Sequence, residues 1–288
     1  MENVIELNNV SKRLKGFSIE GLNMHVKKGF ITGFIGENGA GKTTTIKLIM
    51  NLLKPDQGEV KVFGLDYKTN EKEIKERIGF VYDGNIFFEG LNLKDIRRII
   101  APAYKRWDDQ LFYHYIDKFE LPLHKAIKTF SKGMQMKASL SLALSHHPEL
   151  IIMDEPTAGL DPVFRQELLK LLQELIVDEN RTIFFSTHIT TDLEKIADYI
   201  AFMQRGRLLF NQSKEELMDH YAVVKGDISL LDRDTEKPFI RIERTSAGFT
   251  ALTNNISEVE QMFEDEVLIE KATLEEIMYY SKKEKQYD

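Results

Sequence analysis

The sequence predicts an α/β fold in which a mostly parallel sheet is covered by helices on both faces. In its second half, apolar runs of strand length at residues 151–153, 182–185 and 200–203 are separated by helical spacing at 164–176 and 189–196. Strands that alternate with helices in this way form parallel sheets. The chain has 288 residues, of which 42% are hydrophobic, so it can bury the core that such a fold needs.

The first 90 residues alternate apolar and polar positions instead. The apolar members of this alternation are Ile5, Leu7, Phe17, Ile19, Leu22, Met24 and Val26. A period of two is typical of half-buried strands, so we expect short strands here, in an antiparallel β region. A turn at residues 55–58 precedes a further predicted strand at 59–63.

Within this region, residues 36–44 have the sequence GENGAGKTT and lie between a strand-like run, 30–35, and a helical run, 46–50. The three glycines let the backbone turn sharply and aim its N–H groups at phosphate oxygens, and the helix presents its positive end. The sequence therefore predicts a site for the phosphates of a nucleotide. The residues predicted to contact that nucleotide are Gly36, Asn38, Gly39, Ala40, Gly41, Lys42, Thr43 and Thr44.

Two side chains of this loop have specific predicted roles. Lys42 would reach the β and γ phosphates, and the Thr43 hydroxyl would bind Mg²⁺. A chance glycine-rich turn is the alternative, but the order of strand, loop and helix is the context that a phosphate loop requires.

Residues 91–148 change to helical spacing, with Ile96, Ile99 and Ile100 followed by Phe112, Tyr115, Ile116 and Phe119. This stretch is interpreted as a helical insertion. After it, the apolar run 150–153 ends in Asp154 and Glu155. A buried strand would carry these carboxylates to the sheet edge beside the phosphate loop, where Asp154 can hold Mg²⁺ through water and Glu155 can orient an attacking water. In isolation, this pattern is more often a solvated loop.

Residues 213–288 differ again, with a short predicted strand at 239–242 and a charged final helix at 274–283. This small α+β region contains no plausible catalytic or phosphate-binding group. We therefore expect it to tune dimerisation or regulation, the alternative being a passive cap over apolar surface.

Composition excludes several classes of function. The chain contains no cysteine, so thiol nucleophiles and thiolate metal sites are absent. The net charge of −7 argues against a broad surface for nucleic acid. Its apolar runs are too short for a membrane helix, and its first residues lack the basic and apolar segments of a secretory signal. We therefore expect neither a membrane helix nor a secretory signal.

Residues 1–212 resemble the nucleotide-binding subunit of an ATP-binding cassette (ABC) transporter. Five motifs of that family stand here in its order: the phosphate loop 36–44, the signature segment 130–135 (FSKGMQ), the acidic strand 151–155, residues 158–161 (AGLD) and His188. The resemblance implies a phosphate-loop NTPase core of RecA-like fold, with an N-terminal antiparallel β subdomain and a helical subdomain at about 91–148.

The resemblance also implies an ATPase that uses ATP and Mg²⁺ and works as a head-to-tail dimer. Ser131 and Gly133 of one subunit would face the γ-phosphate held by the other, and Asp161 would contact the opposite subunit. His188 would bond the γ-phosphate and steady Glu155, giving Lys42, Glu155 and His188 as the catalytic set. Considered alone, Ser131 and Asp161 are good N-caps for their own helices, and His188 is a plausible structural residue.

The expected partners are a second ATPase subunit, identical or paired, and a polytopic membrane permease, with no nucleic acid. The protein would then be cytoplasmic and peripheral on the inner face of the cell membrane. Among ABC proteins, it most resembles the single-cassette subunits of ABC-2-type exporters of peptides, drugs or polymers. A soluble ABC-type ATPase without a membrane partner is the alternative. An unrelated phosphate-loop kinase or GTPase would not be expected to contain the segments 130–135 and 154–161 together.

Three departures from the family pattern bear on the site. Asp83 stands where a glutamine that touches Mg²⁺ is usual, so Asp83 is a candidate metal ligand, while nearby Asn85 is a possible substitute amide. Lys132 replaces a glycine and Met134 a glutamine in the signature segment. Leu14 stands where an aromatic usually stacks on adenine, and Phe17 is the nearest ring.

The loop at 83–91 is the expected contact with the permease. Its Phe87 and Phe88 are equally suited to that contact or to the core.

Overall fold

The computed structural model describes residues 2–82, 90–178 and 180–281. The chain divides into two compact units, Met1–Asn211 and Gln212–Asp288. The α/β fold class predicted from the sequence is confirmed. Among the described residues, no helix has the length and apolar character needed to cross a membrane.

The first unit begins with an antiparallel sheet. Its strands are β1 (Asn3–Leu14), β2 (Phe17–Lys27), β4 (Gln57–Val62) and β5 (Leu65–Asp66), in the order β2-β1-β4-β5. The strands β1 and β2 are longer than the short strands predicted, at 12 and 11 residues, and their pairing register shifts three times. The shifts let one long hairpin curve where the interrupted alternation had indicated separate strands.

A six-stranded sheet forms the centre of this unit, in the order β10-β9-β3-β8-β7-β6. Its strands are β3 (Ile31–Ile35), β6 (Ile78–Val81), β7 (Leu150–Asp154), β8 (Thr182–Thr187), β9 (Tyr199–Gln204) and β10 (Arg207–Ser213). The pairs of β3 with β8 and β9, and of β7 with β6 and β8, are parallel. Every residue of β3, β7 and β8 is buried, as expected for strands covered on both faces.

The helices of the first unit are α1 (Lys42–Ile49), α2 (Tyr67–Glu76), α3 (Leu93–Ile100), α4 (Asp109–Lys118), α5 (Lys132–Leu144), α6 (Pro162–Ile176) and α7 (Thr190–Ile196). One hydrophobic cluster joins the antiparallel sheet to the central sheet, where the rings of Phe34 and Phe184 stack 5.4 Å apart. A separate cluster unites α3, α4 and α5 through residues such as Ile96, Phe112 and Leu142. This second core explains the helical spacing of 91–148, although Ile99 is exposed.

The second unit contains the antiparallel sheet β12-β13-β11-β14, from strands β11 (Ala222–Gly226), β12 (Phe239–Thr245), β13 (Gly248–Thr253) and β14 (Leu268–Lys271). Its helices are α8 (Lys214–His220), α9 (Ile256–Phe263) and α10 (Leu274–Tyr280). Val259 and Phe263 of α9 pack on Val224 and Phe249 of the sheet, so this unit has a core of its own.

Candidate functional site

The phosphate loop connects β3 to α1 and is held in place by close backbone packing. A Cβ atom on Gly36 would lie 2.3 Å from the carbonyl oxygen of Met203. Gly41 has φ +113°, and a Cβ there would lie 2.7 Å from Cζ of Phe17. Both positions therefore require glycine, for close approach and, at Gly41, for the backbone conformation as well.

Lys42 is the first residue of α1, yet its side chain folds back into the loop. Its Nζ donates to the carbonyl oxygens of Gly36, at 2.7 Å, and Glu37, at 3.2 Å. The same Nζ lies 3.1 Å from Oε1 of Glu155, and only 5% of the Lys42 side chain is exposed. The ammonium group is therefore fixed at the centre of the loop, where the phosphates of a nucleotide would lie.

Asp154 and Glu155 lie at the end of β7, as predicted, and Ser186 of β8 organises both. The Ser186 hydroxyl donates to Oδ1 of Asp154 at 2.6 Å, and it accepts from the backbone N–H of Glu155 at 3.0 Å. Glu155 has φ +49°, in the left-handed region that non-glycine residues seldom occupy. Such backbone strain persists where surrounding contacts over-determine the conformation, and it is common at functional sites.

His188 follows β8 and contacts the other oxygen of the same carboxylate. Its Nδ1 lies 2.8 Å from Oε2 of Glu155, while its side chain is 44% exposed. Because an ionised carboxylate only accepts, Nδ1 carries the proton and donates. Glu155 thus bridges Lys42 and His188, and the structure brings these three predicted catalytic residues together.

The signature segment shows the local roles that the sequence allowed. The Ser131 hydroxyl caps α5 by accepting from the N–H of Met134 at 3.2 Å, and Ser131 is exposed. Asp161 caps α6, accepting from the N–H groups of Val163 and Phe164 at 3.2 and 3.0 Å. These caps are compatible with the predicted contacts to a second subunit, which stay a prediction.

Gly133 lies in the first turn of α5, where there is room for a larger side chain. A Cβ on this residue would meet the ring of Phe164 at 3.5 Å, an ordinary van der Waals distance. Nothing that the described part of this chain places there therefore requires glycine. A glycine without an internal reason is consistent with close approach by a group from outside the chain.

The donor set suits Mg²⁺ without forming a complete cage. Thr43 is half-buried at the start of α1, and Asp154 is 1% exposed with an oxygen held by Ser186. Within residues 2–82, 90–178 and 180–281, no group of three or more His, Asp or Glu side chains could hold a metal. Magnesium commonly takes one or two protein oxygens and completes its shell with phosphates and water. The third predicted ligand, Asp83, lies outside the described residues, as do Asn85, Phe87 and Phe88.

Sequence reasoning missed an ion pair between a partly exposed arginine and a fully buried aspartate. Arg165 of α6 donates through Nε to Oδ1 of Asp192 at 2.8 Å, and Asp192 of α7 is fully buried. Arg165 lies four residues after Asp161, and Asp192 lies four residues after His188. The pair therefore joins the two helices that follow these candidate residues. Its only sequence signal was one charged residue on an otherwise apolar face of each helix.

Comparisons with known proteins agree with this geometry. The family model described as "ABC transporter" matches residues 19–158. The bacitracin transport ATP-binding protein BcrA of Bacillus licheniformis is 39% identical over 196 residues, covering 67% of this chain and 63% of that protein. This chain therefore spans less than two thirds of the length of that relative. The protein of the same name from Enterococcus faecalis is 33% identical over 222 residues, covering 75% of this chain and 71% of that one.

Solved structures show the same fold. A structure described as the ATP binding subunit of an ABC transporter superposes with a TM-score of 0.68 at 27% identity, covering 75% of this chain and 92% of that chain. The cbiO1 protein of Clostridium perfringens, part of the ABC transporter complex cbiONQ, gives a TM-score of 0.65 at 23% identity, covering 76% and 92%.

Proposed function

The chain belongs to the ATP-binding proteins of the ABC transporter family, which are ATPases, and from this premise we propose that it powers export through a separate polytopic membrane permease. One observation carries the assignment of roles. The Glu155 carboxylate lies between the Nζ of Lys42, at 3.1 Å, and the Nδ1 of His188, at 2.8 Å, at the sheet edge beside the phosphate loop.

The first step is an exchange of partners at Lys42. The ammonium group is neutralised by Glu155 and by two loop carbonyls. The phosphates of ATP carry more negative charge than one carboxylate, and they would also be cradled by the N–H groups of the loop. Lys42 therefore turns from Glu155 to the β and γ phosphates when ATP binds.

The second step uses the carboxylate that this exchange releases. Glu155 keeps its bond to His188 and its backbone bond to Ser186, so it stays at the sheet edge while its Oε1 becomes available. Oε1 then orients and polarises a water for attack on the γ-phosphate, and His188 holds the carboxylate in that orientation. Bound Mg²⁺, held by Thr43 and Asp154, would neutralise charge on the phosphate oxygens.

The third element is a second subunit. We propose that Ser131 and Gly133 of one subunit close over the nucleotide in the other, and that Asp161 meets the opposite subunit, in a homodimer or a pair of related subunits. The exposed N-terminus of α5, capped by Ser131 and followed by the unconstrained Gly133, supports this role. Two nucleotides would then be buried between two subunits, and hydrolysis would reopen them.

The names of two relatives support a proposal for the cargo. Two of them are named for bacitracin transport, which supports a peptide antibiotic or a similar compound as cargo. The protein would act at the inner face of the cell membrane, bound there by its permease.

Reconstitution with a candidate permease, such as one encoded beside this chain, tests the proposal. The complex in vesicles should hydrolyse MgATP faster when cargo is present and should move cargo in an ATP-dependent manner. The Lys42→Ala variant should lose both activities. Turnover that is insensitive to every permease and cargo tested, with no membrane association, would instead favour a soluble ATPase.

A further inference from the structure

Arg165 joins the two helices that follow candidate site residues. Its Nε and Nη2 atoms both contact Oδ1 of Asp192, at 2.8 and 2.7 Å. The same Nη2 donates to the hydroxyl of Thr191 at 3.2 Å. The Asp192 carboxylate is fully buried, and its Oδ2 has no hydrogen-bond partner among the described residues. This buried charge therefore depends on Arg165 for compensation, and the contact fixes α6 against α7.

On α6, the arginine lies one helical turn from Asp161. The side chain of Asp161 accepts from the N–H of Phe164 at 3.0 Å, and its carbonyl oxygen accepts from the N–H of Arg165 at 3.0 Å. The first turn of α6 is therefore a hydrogen-bonded unit that contains both Asp161 and the arginine. A displacement of Asp161 would move Arg165 with it.

On the other side of the contact, α7 is packed on the central sheet. A Cβ on Gly33 of β3 would lie 2.2 Å from Cδ2 of Leu193, so this leucine lies directly on the backbone of the strand. The segment that enters the helix is short, and the N–H of Ile189 donates to the Thr187 hydroxyl at 3.0 Å. His188 lies in this segment, between β8 and α7. A shift of α7 would therefore displace His188.

The contact of His188 with the site is sensitive to such a shift. Its Nδ1 lies 2.8 Å from Oε2 of Glu155, and 44% of its side chain is exposed. Because packing covers only part of the ring, its orientation depends on the backbone that carries it. A displacement of about 1 Å in a catalytic group can lower the rate by about 10²-fold.

Resting on the proposed ATPase function, we propose that Arg165 is a positioning residue for hydrolysis, which fixes α7 against the first turn of α6 and thereby holds His188 on Glu155. The same link makes the position of His188 depend on that of Asp161, which is proposed to meet a second subunit. In this role Arg165 contacts neither the nucleotide nor the attacking water. Its loss therefore reduces turnover and leaves nucleotide binding intact.

Arg165→Met tests this role in the reconstituted complex with the permease. The kcat for MgATP should fall about 10- to 100-fold, the cost of a displaced catalytic group. The affinity for MgATP, measured by calorimetry on the full-length protein, should stay within about threefold of wild type. Turnover is expressed per binding-competent site from the calorimetric stoichiometry, so unfolded protein does not count as lost catalysis. Arg165→Lys keeps the charge but loses the two-nitrogen contact, and its kcat should fall between.

Two double variants separate positioning from stability. Arg165→Met combined with Asp192→Asn leaves no uncompensated buried carboxylate, so it should unfold at a higher urea concentration than Arg165→Met alone while its kcat stays low. In a His188→Ala background, Arg165→Met should lower kcat further by less than about twofold, because both changes act through one contact.

Arg77→Met is the matched control. Arg77 is 29% exposed and contacts Glu149 through two nitrogens, at 3.0 and 2.8 Å. Glu149 precedes β7, whose opposite end carries Asp154. This control should lower stability and leave kcat unchanged. The ring ¹⁵N signals of His188, assigned by their loss in His188→Ala, should shift in Arg165→Met and stay in place in Arg77→Met.

Three kinetic outcomes would overturn the inference. They are a wild-type kcat in Arg165→Met, a loss of nucleotide affinity as large as the loss of turnover, and an undiminished effect in the His188→Ala background. Unshifted His188 signals in Arg165→Met would overturn it as well. Wild-type turnover by His188→Ala, or a wild-type complex that does not hydrolyse MgATP, would instead overturn the proposed function.

Discussion

The ammonium group of Lys42 and the carboxylate of Glu155 form an ion pair of 3.1 Å across the phosphate-binding site. Only 5% of the lysine and 12% of the glutamate side chain is exposed, so water screens the pair weakly. The residue that would bind phosphate and the residue that would activate water therefore neutralise each other. In the proposed mechanism, nucleotide binding would separate the two groups, so the Glu155 carboxylate would become available to orient water only when phosphate is bound at Lys42.

Glu155→Gln tests this coupling. Removing the carboxylate frees Lys42 without touching the loop, so MgATP should bind at least as tightly as to wild type. Turnover should fall by about 10²- to 10⁴-fold, the contribution of a general base. Binding is measured by calorimetry and turnover by phosphate release in complex with the permease. Glu149→Gln is the control, because Glu149 pairs with Arg77 instead. Wild-type turnover by Glu155→Gln would refute the role of Glu155.

Gly133→Ala separates a contact with a second subunit from a local structural role. Because the added methyl would meet Phe164 at 3.5 Å, we expect no loss in the free energy of unfolding, and alanine favours the helix by up to about 1 kcal/mol. If Gly133 faces the nucleotide of a second subunit, steady-state ATPase activity should nevertheless fall at least tenfold. Urea unfolding and ATPase assays give the two readouts. Unchanged activity would remove Gly133 from the site.

Arg165 and Asp192 should be energetically coupled. Arg165→Met leaves the fully buried carboxylate of Asp192 uncompensated and should cost about 3 kcal/mol. Asp192→Asn leaves Arg165, which is 26% exposed and can be solvated, and should cost less. The double variant should cost at least 1 kcal/mol less than the sum of the two. The cycle is measured by urea unfolding. The pair of Lys137 and Glu167, 4.0 Å apart with Glu167 60% exposed, is the control and should couple by less than about 0.5 kcal/mol. Additive costs at the buried pair would contradict the prediction.

The features that could be predicted best from the sequence were those that lie within one element or its immediate neighbours. The phosphate loop lies between a predicted strand and a predicted helix, and α1 begins at Lys42, a few residues before the apolar run at 46–50. The N-caps formed by Ser131 and Asp161 could also be predicted from the sequence, because a cap is a contact within three residues.

Contacts between residues that are far apart in the chain could not be predicted from one sequence. Ser186 organises Asp154 and Glu155 across two parallel strands, at separations of 32 and 31 residues. The N–H of Gly206, in the turn between β9 and β10, donates to the carbonyl oxygen of Ala40 in the phosphate loop, which is another contact of this kind. Periodicity reports which face of an element is buried but gives no information about which side chain lies opposite.

His146 should make stability depend on pH. Burial lowers the pKa of its imidazole from 6.5 to about 4, and the ring lies 3.9 Å from Tyr104 with Nε2 3.0 Å from the Ile78 carbonyl oxygen. The unfolded chain binds a proton near pH 6.5, and the folded chain binds it only near pH 4. Stability from this residue is therefore complete above pH 6.5 and is lost as pH falls toward 4, by about 1.4 kcal/mol per unit.

Urea unfolding between pH 4 and 7 measures this dependence. His146→Leu removes the titrating group and should flatten the slope in that window, even if it lowers stability at neutral pH. His147→Leu, at the neighbouring, more exposed histidine, is the control and should retain the slope. An equal slope in wild type and His146→Leu would assign the acid sensitivity to other groups.

Removing the second unit should leave nucleotide binding intact. A chain that ends at Ser213 keeps β10 whole, and every residue assigned to the site precedes that point. The second unit has its own core, and the two hydrophobic clusters of the first unit described above contain no residue from it. We expect MgATP affinity within about threefold of the full chain, measured by calorimetry after circular dichroism has confirmed folding.

Combining the truncation with Glu155→Gln, which should trap the ATP-bound dimer, tests whether the second unit regulates dimerisation, and light scattering measures the dimer. A weaker or stronger dimer would support a regulatory role, and an identical dimer would support a passive cap. A folded, truncated protein that fails to bind MgATP would contradict the prediction that the first unit binds nucleotide without the second.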